Sequence, residues 1–201
     1  ESDSGHRFRR VEELLDSLGK IGPKSAALIL RDRRGAGGKD IGMCTELSIN
    51  QLLAMHSVIF KPSSREIWVS TYPWQCGEFI RFRLDDILDS PVPPYNRDSS
   101  KDIPEDIFLH SESFRNLLKF KRSSAGIRSA ISSGTEIPED SISAYIGLNP
   151  LYYNAYNLAG DYFLAKGDEG NACELWKKSL TFEMKLQERN LIEKKIERCK
   201  R

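Results

Sequence analysis

No apolar run in this 201-residue chain approaches the ~18 residues that a membrane-spanning helix needs. The opening stretch, Glu1-Ser2-Asp3-Ser4-Gly5-His6, has no apolar signal-peptide core, so the chain as given is expected to be soluble. It begins without Met, which fits a processed, trimmed or excised polypeptide. An excess of charge is also missing. Lys and Arg total 30 against 29 Asp and Glu, a net charge of +1, so no global field favours nucleic acid or an anionic membrane. Cysteine is sparse: Cys44, Cys76, Cys173 and Cys199 form no Cys-x-x-Cys and have no His at ligand spacing, which argues against zinc, any other metal or a disulfide scaffold. Nothing calls for a cofactor, and nothing fixes a compartment, whether cytoplasmic, periplasmic or secreted.

What is present divides into three stretches. In the first, residues 1–90, Val11, Leu14, Leu15 and Leu18 recur at i, i+3, i+4 and i+7 and predict an amphipathic helix from Arg9 to Lys20, stopped by Gly19. Pro23 suits the first turn of a second, short helix. Arg31 to Asp40 reads as a flexible loop whose cluster Arg31, Arg33, Arg34 and Lys39 is a solvated face. Gly35-Ala36-Gly37-Gly38-Lys39 lacks the Ser/Thr and the strand that a phosphate-cradling loop needs. From Leu52 the character is that of strands: a run to Phe60, the turn Lys61 to Arg65, Glu66 to Ser70, then Glu78 to Arg83. Leu84 to Leu88 reads as a short amphipathic turn or strand end. Four prolines mark residues 91–104 as a linker and domain boundary.

Residues 105–201 read as helical, with starts at Pro104-Glu105-Asp106 and Pro138-Glu139-Asp140. Tyr156, Ala159, Gly160 and Phe163, followed by Gly167, Ala172, Trp176 and Ser179, reproduce the spacing of the tetratricopeptide consensus, in which small residues lie where two antiparallel helices touch. One period upstream, Gly126 takes the place of Gly160 in a degenerate copy. A last helix carrying Leu186, Leu191, Ile192 and Ile196 is expected to cap the array.

Candidate chemistry is thin. A Cys nucleophile needs a base and a lowered pKa. Cys44 can be paired on paper with His56, and Cys76 sits in the turn Pro73-Trp74-Gln75-Cys76-Gly77; the competing reading of both is as ordinary buried or turn cysteines. His56 is either the polar wall of a cleft or a core histidine inside an apolar strand.

Arg9 to Leu15, Ile29-Leu30-Arg31-Asp32, and above all His56-Ser57-Val58-Ile59-Phe60-Lys61-Pro62 leading to Trp68-Val69-Ser70, resemble the C-terminal portion of the penicillin acyltransferase-like branch of the N-terminal-nucleophile hydrolases. The resemblance covers about Arg9 to Leu88. It implies an α+β fold, the C-terminal part of an αββα sandwich followed here by the tetratricopeptide-like helices. It implies an autoproteolytic precursor in which cleavage exposes a Cys whose own α-amino group is the base. The implied reaction is cleavage of a linear amide, or acyl transfer between amide and thioester, through an acyl-enzyme. The nucleophile is then on a companion N-terminal segment, the substrate is a small acyl-amide, and this chain alone is inactive. A Ser-Arg pair of the family falls on Asn50-Gln51, either of which could donate to a developing oxyanion. Two other readings stand beside this one: a non-enzymatic tetratricopeptide-type interaction module, and a relative that kept the fold and lost the chemistry.

Overall fold

The computed structural model describes residues 2–89 and 98–199. Among them are eight α-helices and one three-stranded antiparallel sheet, an α+β arrangement dominated by helix. Helix α1 (Asp3–Leu18) starts six residues before the predicted Arg9, because Ser2 accepts a hydrogen bond from Gly5 N–H and Asp3 complements the first turn. Gly19, at φ 63°, ends it by donating to Leu15 O. Helix α2 (Pro23–Leu30) begins on its proline as predicted.

The sheet runs in the order β1 (Val58–Lys61), β2 (Glu66–Ser70), β3 (Phe79–Arg83). Its first hairpin closes through Pro62–Ser64 and a left-handed Arg65. Register puts Ile59 beside Trp68 and Arg81, and that face packs with Phe79 and Ile103 against Ala27 of α2. The same face buries an ion pair in which Arg81 Nε donates to Glu66 Oε1 over 2.7 Å. The opposite face carries the rows Val58, Val69, Ile80 and Phe60, Ile67, Phe82. None of these six apolar side chains is buried, and Phe60 is 68% exposed. Leu84 to Leu88 forms neither strand nor turn but helix α3 (Leu84–Asp89).

Of the expected linker, residues 91–97 lie outside the described residues. The remainder is packed against the sheet. Lys101 O accepts from Trp68 Nε1, Asp102 accepts from Arg81 N–H, and Ile103 exchanges two backbone hydrogen bonds with Phe79. Pro104-Glu105-Asp106 leads only into a 3-10 turn, Ile107–His110, and α4 (Glu112–Ser133) starts later on the cap Ser111.

Helices α5 (Glu139–Leu148), α6 (Tyr153–Ala165), α7 (Glu169–Ser179) and α8 (Leu186–Arg198) complete the chain. The α6–α7 hairpin has the predicted small-to-large fit: a Cβ on Gly160 would lie 2.5 Å from Trp176 Nε1. Trp176, 1% exposed, donates that N–H to Asn157 O and Asp161 Oδ1. The degenerate copy is seated otherwise. Gly126 is exposed with open space around it, and α4 buries Leu117, Phe120, Ser124 and Ile127 instead. Ile192 and Ile196 of α8 cap the hairpin, whereas Leu186 and Leu191 face outward.

Candidate functional site

Residues 32–57 contain a single 3-10 turn and no strand or α-helix, so side chains take up several of the backbone polar groups that no regular ladder pairs. The glycine-rich stretch expected to be flexible is pinned: Glu13 of α1 accepts from Gly37 N–H through both carboxylate oxygens, at 2.8 and 2.9 Å. That bond and Arg10 hold the Glu13 pKa below its ordinary value.

Asn50, fully buried, is the hub of the region. Its Nδ2 donates to Trp74 O at 3.1 Å and to Cys76 Sγ at 3.4 Å, while Oδ1 accepts from Leu52 N–H at 2.9 Å. Both amide hydrogens are thus engaged inside the chain. The turn they hold is unusual: Trp74 (φ 44°) and Gln75 (φ 67°) are successive left-handed non-glycine residues, a conformation that persists only where surroundings over-determine it. A second clamp is Arg31. Its guanidinium donates to Gln75 O, Gly77 O and Pro104 O, the last two at 2.7 and 2.8 Å. Gly77 completes the turn because a Cβ there would sit 2.4 Å from Tyr72 O.

Arg31 therefore corrects the expectation of a solvated basic face: it is 8% exposed, and burial lowers its pKa. Neighbouring Arg33 stacks its guanidinium on Phe108, 3.9 Å from the ring centroid, and pairs with Asp106 at 2.6 Å. No sequence signal marked Asp106 as an ion-pair partner, nor the carbonyl partners of Arg31. Those partners lie 44 to 73 residues away and belong to the backbone, which every residue shares.

Gln51, next to the hub, is half-buried, and its side chain has no hydrogen bond among the described residues. His56 is neither a core histidine nor in a strand: it is exposed, in irregular chain before β1. The structure brings Asn50 to Cys76 but forms no hydrogen bond between Cys44 and His56. Burial raises the pKa of both thiols, so Cys44 and Cys76 are held neutral. Among the described residues, no cluster of His, Cys, Asp or Glu could hold a metal ion.

The helices join this region directly. Asn149 exchanges two 2.9 Å hydrogen bonds with the Met43 backbone, Tyr153 donates to Glu46, and Lys121 donates to Leu52 O from above the Trp74 ring. A cleft of about 420 Å³ opens at this junction, lined by Arg33, Arg34, Asp40, Ser113, Asn116 and Asn149 among others. No protein family, curated protein or solved structure matches the chain. Among the described residues, no helix is long and apolar enough to cross a membrane.

Proposed function

We propose that this chain is the C-terminal portion of an autoproteolytic cysteine N-terminal-nucleophile amidohydrolase or acyltransferase acting on linear amide C–N bonds, with the nucleophile on a companion upstream segment. The observation that carries the reading is the second face of the sheet. One face is covered by α2; on the other Phe60 is exposed, and Val58, Val69, Ile80 and Ile67 are only half-buried. A sheet with helix on one side and apolar residues on both suits one half of a helix-sheet-sheet-helix sandwich, whose two sheets interdigitate side chains across about 10 Å. A contiguous apolar patch of this kind marks a surface meant to be covered.

Two further features agree. Neither thiol of the hub ionises readily, which suits a nucleophile supplied from elsewhere. Among the described residues the Gln51 amide makes no hydrogen bond, at one of the two positions, Asn50 and Gln51, where the resemblance puts site residues, while Asn50 holds the turn beside it. In this reading Gln51 donates to the oxyanion, and the substrate is a small acyl-amide.

The test is reconstitution. This chain is co-produced with the upstream segment beginning at its cleavage-exposed Cys, and N-acyl amides including penicillin V are assayed. Turnover is expected only with both segments present, and Gln51→Ala is expected to lower kcat by about a hundredfold. Turnover by this chain alone that disappears in Cys44→Ala or Cys76→Ala would overturn the assignment.

A further inference from the structure

Two consecutive arginines, Arg33 and Arg34, line the cleft of about 420 Å³ where the irregular segment meets the helices. The Arg33 guanidinium makes its hydrogen bonds through one nitrogen: Nη1 donates to Arg31 O at 2.9 Å and to Asp106 Oδ2 at 2.6 Å, and it approaches Cys76 Sγ at 4.0 Å. Arg34 likewise uses Nη1, which donates to Gly38 O at 3.1 Å. Nε and Nη2 of both have no hydrogen bond among the described residues. That pair of N–H groups is an edge with which a guanidinium takes an oxyanion bidentately.

Arg33 is held ready for such a ligand. Stacking on Phe108 and the ion pair with Asp106 fix its plane, and Asp106 is itself fixed by accepting from Phe108 N–H at 2.9 Å. Little side-chain freedom is left to lose on binding. Ser113 and Asn116 of α4 also line the cleft, and their hydroxyl and amide make no hydrogen bond among the described residues. The rest of the lining includes the apolar side chains of Met43, Leu148 and Leu151. A few unspent donors in a partly apolar cleft of this size make up a small-molecule site. Charge sets the class of ligand. Asp106 neutralises one guanidinium and Asp40 lines the cleft, so a dianion such as a phosphate monoester meets repulsion that a single carboxylate largely escapes.

We infer that this cleft binds a small organic carboxylate, with the carboxylate on the Nε–Nη2 edges of Arg33 and Arg34 and the apolar body against Met43, Leu148 and Leu151. A carboxylate offers about four lone-pair sites, enough for both edges, and Asn116 and Ser113 are donors for other polar atoms of the ligand. The site lies wholly within this chain and stands apart from the companion segment proposed above.

The experiment is titration of the native chain with sodium benzoate, followed by NMR shifts of the arginine Nε–H groups and the Asn116 side-chain amide. Benzoate is expected to give saturable shifts, and benzamide, of the same shape without the charge, to give none. Arg34 is exposed and its one hydrogen bond goes to Gly38 O, so its variants are expected to fold, which circular dichroism checks. Arg34→Gln is expected to weaken benzoate binding about tenfold. Arg34→Lys, which keeps the charge and loses the fork, is expected to weaken it as well. Shifts that rise without saturating, benzamide binding as tightly as benzoate, phenyl phosphate binding more tightly than either, or an unchanged benzoate affinity in Arg34→Gln would each overturn the inference.

Discussion

At the scale of single residues, the most demanding position is Gly160. A methyl group there would sit within 2.7 Å of two Trp176 ring atoms and 3.1 Å from Ala172 O, and neither a buried indole nor a helix backbone can yield cheaply. Gly160→Ala is expected to destabilise the chain by about 1–3 kcal/mol, visible as a lower Tm by differential scanning calorimetry. Asn50 is as constrained, for polar reasons. Asn50→Ala leaves Trp74 O and Leu52 N–H without their partner in a buried site, and about 2–3 kcal/mol of stability is expected to go in urea denaturation. Gly160 could be read from the sequence because helix packing repeats at fixed steric intervals. The role of Asn50 could not, since its neighbours are carbonyls and amides set by a turn 24 residues away. Arg31 was misjudged for a related cause: three main-chain acceptors compensate its burial, and no acidic residue nearby in sequence announces them.

Elements were legible where periodicity alone decides them. Both N-terminal helices, the three strands and the α6–α7 hairpin follow from spacing and from β-branched composition. Their ends were less legible. Ser2 and Ser111 shift helix starts away from the proline and apolar signals, because a cap satisfies orphan N–H groups wherever it occurs.

Within the sheet, Glu66 is buried against Arg81, with Ser64 also donating to it, and its pKa is lowered from 4.5. A carboxylate with a depressed folded pKa stabilises above its unfolded pKa, and that contribution is lost as pH falls through the folded value. Glu66→Gln is therefore expected to cost about 1–3 kcal/mol at pH 7, and the gap from wild type to shrink below about pH 4. Chemical denaturation across pH 3–7 measures both. On the other face Phe60→Lys is expected to leave the stability of this chain within about 0.5 kcal/mol while weakening binding to the proposed companion, a contrast readable by calorimetry.

Across the whole molecule, the helical part is not an appendage on a tether. Leu52, Cys76, Phe108 and Leu117 form one core cluster drawn from both parts, and Asn149 and Lys121 satisfy backbone groups of the irregular segment. Thermal unfolding is expected as a single transition with equal calorimetric and van't Hoff enthalpies; two resolved transitions would mean that the parts fold independently. Such joining contacts could not be read from the chain, since the hydrogen bonds of Lys121 and Asn149 link residues 69 and 106 positions apart and neither belongs to a repeat or motif.

The second sheet face bears also on how the protein has to be produced. Strand β1 has no partner along its outer edge among the described residues, and although its four-residue length and the Lys61-Pro62 ending discourage templating, the apolar rows beside it do not. Surplus copies would adhere to one another through that surface as their concentration rises. Supply of the two segments in unequal amounts would then penalise the cell. In the proposed reading, a precursor cut only after folding would hold their ratio at one to one.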